Sequence, residues 1–207
     1  IADGANFDEV VRSRGLKVIE DAAHAIGSRL PDGSMVGSCR HSDMTIFSFH
    51  PVKTITCGEG GAVTTNDDEL CQRLLLLRSH GITKRPEVLE RSPGPWYYEM
   101  HELGFNYRLT DIQAALGESQ LRRIEGFRRR RLEIVRAYNK AFRGCPHLQT
   151  PAAAGEELCC FHLYVVKIDF RALGISRAGA MEWLKGRGVG TQVHYIPVHM
   201  QPYYRDN

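Results

Sequence analysis

The sequence predicts an α/β layered domain that leads, through a long helix, into the start of a second, smaller α+β domain. Three observations carry this. Strand-like and helix-like runs alternate over the first eighty residues, a capping-box signature at Thr110 opens a long amphipathic pattern, and the alternation restarts after Cys145-Pro146. The division drawn from these patterns is 1–125 for the first domain and 126–207 for the bridging helix and the incomplete second one.

In chain order, 8–14 reads as a short helix stopped by Gly15, and Leu16-Lys17-Val18-Ile19-Glu20 as a buried strand. A loop rich in Gly, Ser, Pro and Asp covers 27–42. Asp43-Met44-Thr45-Ile46-Phe47-Ser48-Phe49 alternates as a second strand, which Pro51 ends. Gly58, Gly60 and Gly61 make a turn before a third short strand, Ala62-Val63-Thr64-Thr65. Asn66 or Asp67 then caps a helix carrying Leu70, Leu74 and Leu77, closed by Gly81. Residues 82–103 read as a long loop with Pro86, Pro93, Pro95 and Trp96-Tyr97-Tyr98, and a loop of that length inside a domain points to function or disorder. From the Thr110/Gln113 box one long helix is expected, carrying Ile112, Leu116, Ile124, Phe127, Val135, Tyr138 and Phe142, with Gly117 and Gly126 as its weak points. A strand over 161–168, a helix over 176–185 and a strand over 189–195 follow. There is no internal repeat.

Of the 207 residues, 43% are hydrophobic and 25% charged, which excludes a disordered chain and supplies a core. The 27 Lys+Arg against 24 Asp+Glu leave a net charge of +3, too slight to mark a nucleic-acid or membrane surface. No run approaches the roughly 18 apolar residues of a bilayer span. Glu20 and Asp21 interrupt the first apolar stretch, so it is not a secretion signal, and a cytoplasmic protein is expected. Cysteines 39, 57, 71, 145, 159 and 160 form no C-x-x-C and are expected as reduced thiols. Cys145, His147, Cys159, Cys160 and His162 match no zinc-ligand spacing, so no metal is expected. The chain opens on Ile-Ala-Asp-Gly and closes on Tyr203-Tyr204-Arg205-Asp206-Asn207, which reads as an internal piece of a longer protein, silent as a catalyst by itself.

Two features point to function, and to different classes. Asp21 stands where the first strand stops, Ser48 near the end of the second, and Lys53 in the turn beyond it. Ligands gather outside the carboxyl ends of strands in open α/β sheets, where a carboxylate, a hydroxyl and an amine make a site. Singly, each has a plainer reading: a turn cap, a polar strand residue, a solvated amine. The other feature is Arg122, Arg123 and Arg128-Arg129-Arg130-Arg131, which would make a non-catalytic module that binds nucleic acid or an acidic partner. Four consecutive arginines wrap round a helix, however, and Glu118, Glu125 and Glu133 interrupt them, so a solvated face is the competing reading.

The strings around the first feature resemble the DegT/StrS-type sugar aminotransferases, fold-type I enzymes that use pyridoxal 5′-phosphate (PLP). The resemblance rests on Val18-Ile19-Glu20-Asp21-Ala22-Ala23-His24-Ala25, Phe47-Ser48-Phe49-His50-Pro51-Val52-Lys53, Gly58-Glu59-Gly60-Gly61-Ala62-Val63, Leu77-Arg78-Ser79-His80-Gly81 and Gly104-Phe105-Asn106-Tyr107-Arg108-Leu109-Thr110-Asp111, in that order. It implies part of a fold-type I large domain with a mainly parallel sheet. Ser48 to Thr56 and Trp96-Tyr97-Tyr98-Glu99-Met100 are most similar to the branch that makes pseudaminic acid. That branch aminates C4 of a UDP-linked 4-keto-6-deoxy-N-acetylhexosamine with glutamate as donor.

The resemblance also implies roles. Lys53 would hold PLP through its side-chain amine and shuttle the proton, and it fills the slot where dehydratase members carry histidine. Asp21 would face the pyridine nitrogen, His24 the ring oxygen, and Ser48 the phosphate. Asn106 would reach the phosphate of the neighbouring subunit's site, which implies a homodimer with shared active sites. Arg108 is a weaker candidate for the same surface, and His194 and Tyr195 for the sugar nucleotide. Other cofactor contacts of the family come from a part of the large domain that precedes these strings.

Overall fold

In the computed structural model, which describes residues 10–11, 13–151 and 155–206, strands β1 (Ile19–Asp21) and β2 (Met44–Ser48) pair in parallel, with Ile19 opposite Met44 and Asp21 opposite Ile46. Strand β3 (Gly61–Thr64) returns antiparallel on the other side of β2, with Thr45 opposite Thr64 and Ser48 opposite Gly61, so the order is β1-β2-β3. The opening helix expected over 8–14 lies mostly outside the described residues; Val10, Val11 and Ser13 are helical.

Successive strand residues face opposite sides, so the register sorts the sheet into two faces. Thr45 and Phe47 of β2 point to one face. Thr45 is fully buried, and Phe47 packs on the core of Ala22, Leu30 and Val36. The opposite face carries Ile19, Asp21, Met44, Ile46, Ser48 and Val63; Ile19 and Val63 stay 59% and 42% exposed there, so this face lacks a covering layer within the described chain.

Helix α1 (Asp68–Arg78) starts at Asp67, whose side chain accepts from the Leu70 N–H, with Asp68 and Glu69 at the positive end of its dipole. Beyond it come β4 (Ile82–Thr83) and β5 (Glu99–Met100), an antiparallel pair at the base of the aromatic loop. That loop is not structureless. The Glu99 carboxylate accepts from the Glu90 and Arg91 amides and pairs with His101 at 2.9 Å, while Arg91 stacks on the Tyr97 ring.

The expected single long helix is two. Helix α2 (Asp111–Leu121) opens on the full Thr110/Gln113 capping box, and α3 (Ile124–Ala141) follows after a break at Arg122–Arg123. Neither glycine is the weak point: Gly117 lies inside α2, where a Cβ would come 3.5 Å from Cys57 Cβ, and Gly126 lies inside α3. The whole of α3 belongs to the first of two compact units, which comprises 1–141 and 152–164.

The second unit comprises 142–151 and 165–207. It holds an antiparallel pair, β6 (Leu148–Gln149) and β7 (Lys167–Ile168), then α4 (Arg177–Lys185), capped by Ser176, and the short α5 (Pro202–Arg205). Two expected strands are corrected here. The strand over 161–168 shrinks to β7, because the carbonyls of Phe161 and His162 accept from the Arg131 guanidinium rather than from a neighbouring strand. Residues 189–195 form no strand, since alternation alone makes no ladder and no partner strand pairs there among the described residues.

Candidate active site

Asp21 closes β1, and Ser48 closes β2 on the same face of the sheet, two residues beyond Asp21's partner Ile46. Asp21 is exposed and its Oδ1 accepts from the Ala23 amide at 3.0 Å, an Asx turn that starts the segment carrying His24. The ring of the exposed His24 lies 4.4 Å from that of His162, tilted at 57°. Ser48 Oγ accepts from the His50 amide at 3.5 Å.

Lys53 is half-buried in the turn after β2. Its amide donates to His50 O at 2.9 Å, and the turn closes where the Phe49 amide donates to Gly60 O and the Cys57 amide to Phe49 O. Thr56 Oγ1 donates to Phe49 O and accepts from the Gly58 amide. Thr54, Ile55 and Cys57 are buried beneath, at 6%, 2% and 2% exposure. Burial pushes the Cys57 thiol up from its ordinary value, so it stays protonated at neutral pH.

Asn106 and Arg108 lie on a separate exposed segment, fixed by a backbone crossing. Phe105 donates to Leu77 O and Tyr107 to Arg78 O, and Asn106 bridges Ser79. The crossing needs glycine on both sides. Gly81 has φ +69° and any Cβ there would overlap Glu102 O, while a Cβ at Gly104 would overlap Gly81 N. The rings of Phe105 and Tyr107 stack at 4.8 Å on either side of Asn106 in sequence. Next along the chain, Leu109 packs over Gly60, and Gln113 Nε2 donates to Glu59 O at 2.8 Å, so this segment borders the Lys53 turn.

Asp21 and Ser48 thus end at one edge of the sheet, His24 and Lys53 lie in the turns that follow β1 and β2, and the Asn106 segment borders the lysine turn. His194 and Tyr195 lie in the second unit, exposed, with rings 4.3 Å apart. Sequence reading missed the buried props Thr54 and Ile55 and the Gln113–Glu59 link; the apolar run after Lys53 is the signal that could have found the first two.

The arginine-rich feature is largely spent inside the first unit. Arg128 donates to Glu157 O, Arg131 to Phe161 O and His162 O, Arg130 pairs with Glu133 at 2.9 Å and Arg122 with Glu118. No group of three or more His, Cys, Asp or Glu is gathered as metal ligands would be among the described residues, and all six cysteines are free. No helix among the described residues is long and apolar enough to cross a membrane.

The family described as the DegT/DnrJ/EryC1/StrS aminotransferases matches residues 1–207. The chain belongs to that family. Spore coat polysaccharide biosynthesis protein SpsC of Bacillus subtilis is 40% identical over 197 residues, which are 95% of this chain and 50% of that one. The structure of Helicobacter pylori PseC, an aminotransferase involved in the biosynthesis of pseudaminic acid, superposes with a TM-score of 0.87 at 30% identity, over all of this chain and 52% of that one. A sugar aminotransferase of Streptococcus pneumoniae, solved in PLP, PMP and apo forms, reaches 0.83 for its PMP form at 27% identity, over all of this chain and 56% of its own. The chain therefore spans about half the length of the relatives it matches, and its α/β architecture is part of a fold-type I aminotransferase.

Proposed function

We propose that the protein containing this chain transfers an amino group from glutamate to C4 of a UDP-linked 4-keto-6-deoxy-N-acetylhexosamine, as in pseudaminic acid biosynthesis, using PLP. The observation that carries the reading is the lysine turn: a half-buried lysine whose backbone is fixed by the turn's own bonds, a few residues beyond a sheet edge that also bears an exposed carboxylate and a hydroxyl. This donor set fits PLP, which presents a carbonyl for an amine, a ring nitrogen for a carboxylate and a phosphate for hydroxyl and amide donors. Similarity to PseC favours the sugar class.

Bound PLP supplies an electron sink for the charge left when a proton leaves the donor's α-carbon. The chain's own residues do the rest. Lys53 would hold the cofactor through its amine and, once displaced, carry that proton from one carbon to the other. Asp21 would keep the ring nitrogen protonated, since a carboxylate beside a pyridinium favours the charged form. His24 would donate to the ring oxygen and Ser48 to the phosphate, which Asn106 of the partner subunit would also reach in a cytoplasmic homodimer with shared sites. Arg108, His194 and Tyr195 are assigned to the sugar nucleotide. Half the length of the relatives lies outside this chain, so the activity belongs to the longer protein.

The test incubates the full-length protein with PLP, glutamate and the UDP-linked ketosugar, and locates the new amine by NMR. Amination at C4 supports the reading. Turnover only of ketosugars on other nucleotides would correct the substrate, and no transamination of any ketosugar would sink it.

A further inference from the structure

His50 stands between Ser48 and Lys53 and bonds to both through its backbone. Its amide donates to Ser48 Oγ at 3.5 Å, and its carbonyl accepts from the Lys53 amide at 2.9 Å. Residues 50–53 are thus one four-residue turn, with Pro51 in the second position, where its fixed φ suits the bend. The amide of the third residue, Val52, takes no part in closing such a turn. Here the His50 ring meets it: Nδ1 accepts from the Val52 amide at 3.3 Å. The contact is the imidazole counterpart of the Asx turn that Asp21 makes with Ala23 after β1.

An imidazole nitrogen that accepts a hydrogen bond carries no proton, so the neutral ring holds its proton on Nε2. Nε2 stands 3.6 Å from Glu59 Oε1. Glu59 is kept there by its own backbone, whose carbonyl accepts from Gln113 Nε2 at 2.8 Å and from the Cys57 thiol at 3.3 Å. Both side chains are open to water, His50 at 46% and Glu59 at 73%, so the pair adds little stability. What the carboxylate does is select the tautomer: it attracts the proton on Nε2 and leaves Nδ1 as the acceptor for Val52. One ring thereby joins the end of β2, the lysine turn and the glycine turn beyond it.

We propose that His50 is a positioning residue: its ring, held as the Nε2–H tautomer by Glu59, caps the Val52 amide and so fixes the direction in which Lys53 leaves the turn. The inference rests on the assignment of Lys53 to PLP given above. Burial of Thr54 and Ile55 anchors the chain beyond Lys53, whereas its approach from β2 depends on this cap. Lys53 is the next residue after Val52, so a turn loosened at Val52 re-aims the amine.

The experiment uses the full-length protein and free PLP. His50→Ala removes the ring, whereas His50→Asn keeps an acceptor at the position of Nδ1 and loses the reach to Glu59. His50→Ala should slow fixation of PLP on Lys53 by borohydride about tenfold, with a similar fall in kcat and an unchanged KM for the ketosugar, as a small misalignment of the amine would. The absorption band of bound PLP should shift with it, and in the PLP-free protein the Val52 amide should exchange its hydrogen faster. His50→Asn should return each of these to near its wild-type value. Imidazole nitrogen shifts of the PLP-free wild type should put the proton of neutral His50 on Nε2, and a proton on Nδ1 overturns the cap outright. A purely structural role predicts otherwise: both variants melt lower without PLP, while fixation rate and band position stay as in the wild type, and that result overturns the proposal. So does a His50→Asn variant as slow as His50→Ala. If His50→Ala does not fold, His50→Gln, which keeps only the position of Nε2, decides by the same readouts. Absence of any label on Lys53 in the wild type overturns the functional reading and this inference with it, whereas a labelled wild type with unaltered variants overturns this inference alone.

Discussion

Between Phe49 and Gly60 the chain closes on itself through backbone and side-chain bonds and seats Thr54, Ile55 and Cys57 in the core. From 185 to 206 every residue is exposed, and its backbone bonds, such as Met200 to Pro197 O and Tyr204 to Gln201 O, span one local turn. Both segments carry residues assigned to the site. The contrast teaches that position in the fold separates the two assignments: Lys53 is held in place by this chain's own packing, whereas His194 and Tyr195 would owe any fixed geometry to residues beyond it.

The comparison breaks most sharply at Lys53. Lys53→Ala in the full-length protein should lower turnover by about 10⁴-fold, the upper end for a group that moves a proton, while PLP is still retained. Mixing it with Asn106→Glu, whose charge repels the phosphate, should restore activity on subunit exchange. In a shared-site dimer one site then receives both lesions and the other neither. Return of no activity would assign Asn106 to its own chain's site. By contrast, His194→Ala and Tyr195→Ala should alter KM for the sugar nucleotide more than kcat, and an equal loss in both would place them at the reacting atoms.

Asp21→Asn comes next. Keeping the size and removing the charge should slow single-turnover proton removal by about 10²-fold, with cofactor affinity less affected. An unchanged single-turnover rate would end that assignment.

Stability should divide in the same way. Ile55→Ala, at 2% exposure, should cost about 2–5 kcal/mol by denaturant unfolding of the full-length protein. Val193→Ala, 41% exposed, should fall within about 0.5 kcal/mol. A comparable loss at Val193 would mean that the outer segment is packed in the longer protein.

The smallest effect is expected in the aromatic loop. The Glu99 carboxyl lies below its ordinary 4.5, chiefly because the Glu90 amide donates to it, with His101, Tyr97 and Arg91 adding to the effect. A lowered folded value means the contribution is complete above 4.5 and fades as pH falls through the folded value. Hydrogen exchange at the Glu90 and Arg91 amides should therefore quicken only below that range, and pH-independent protection there would show that Glu99 does not hold the loop.

What was legible in the sequence was local. The caps at Thr110 and at Asn66 or Asp67 are read within four residues; Thr110 and Asp67 form them. Asp21, Ser48 and Lys53 were legible as a group because strand ends converge at one edge, whatever the packing. The lost strand over 161–166 was not, because it depends on a partner far along the chain. Arg131 takes the carbonyls that a strand would have used, and no periodicity within 161–168 reports on an arginine thirty residues away.

The Gly81–Gly104 crossing has a further consequence, for how such chains diversify. It clamps the two ends of the aromatic loop backbone to backbone, so the Asn106 segment is registered against α1 without reference to what lies between. The residues inside that clamp form a replaceable cassette. Insertions, deletions or a transplanted stretch from a relative can enter at 84–98 while the frame on either side keeps its alignment, whereas a change at either glycine would unseat the whole join.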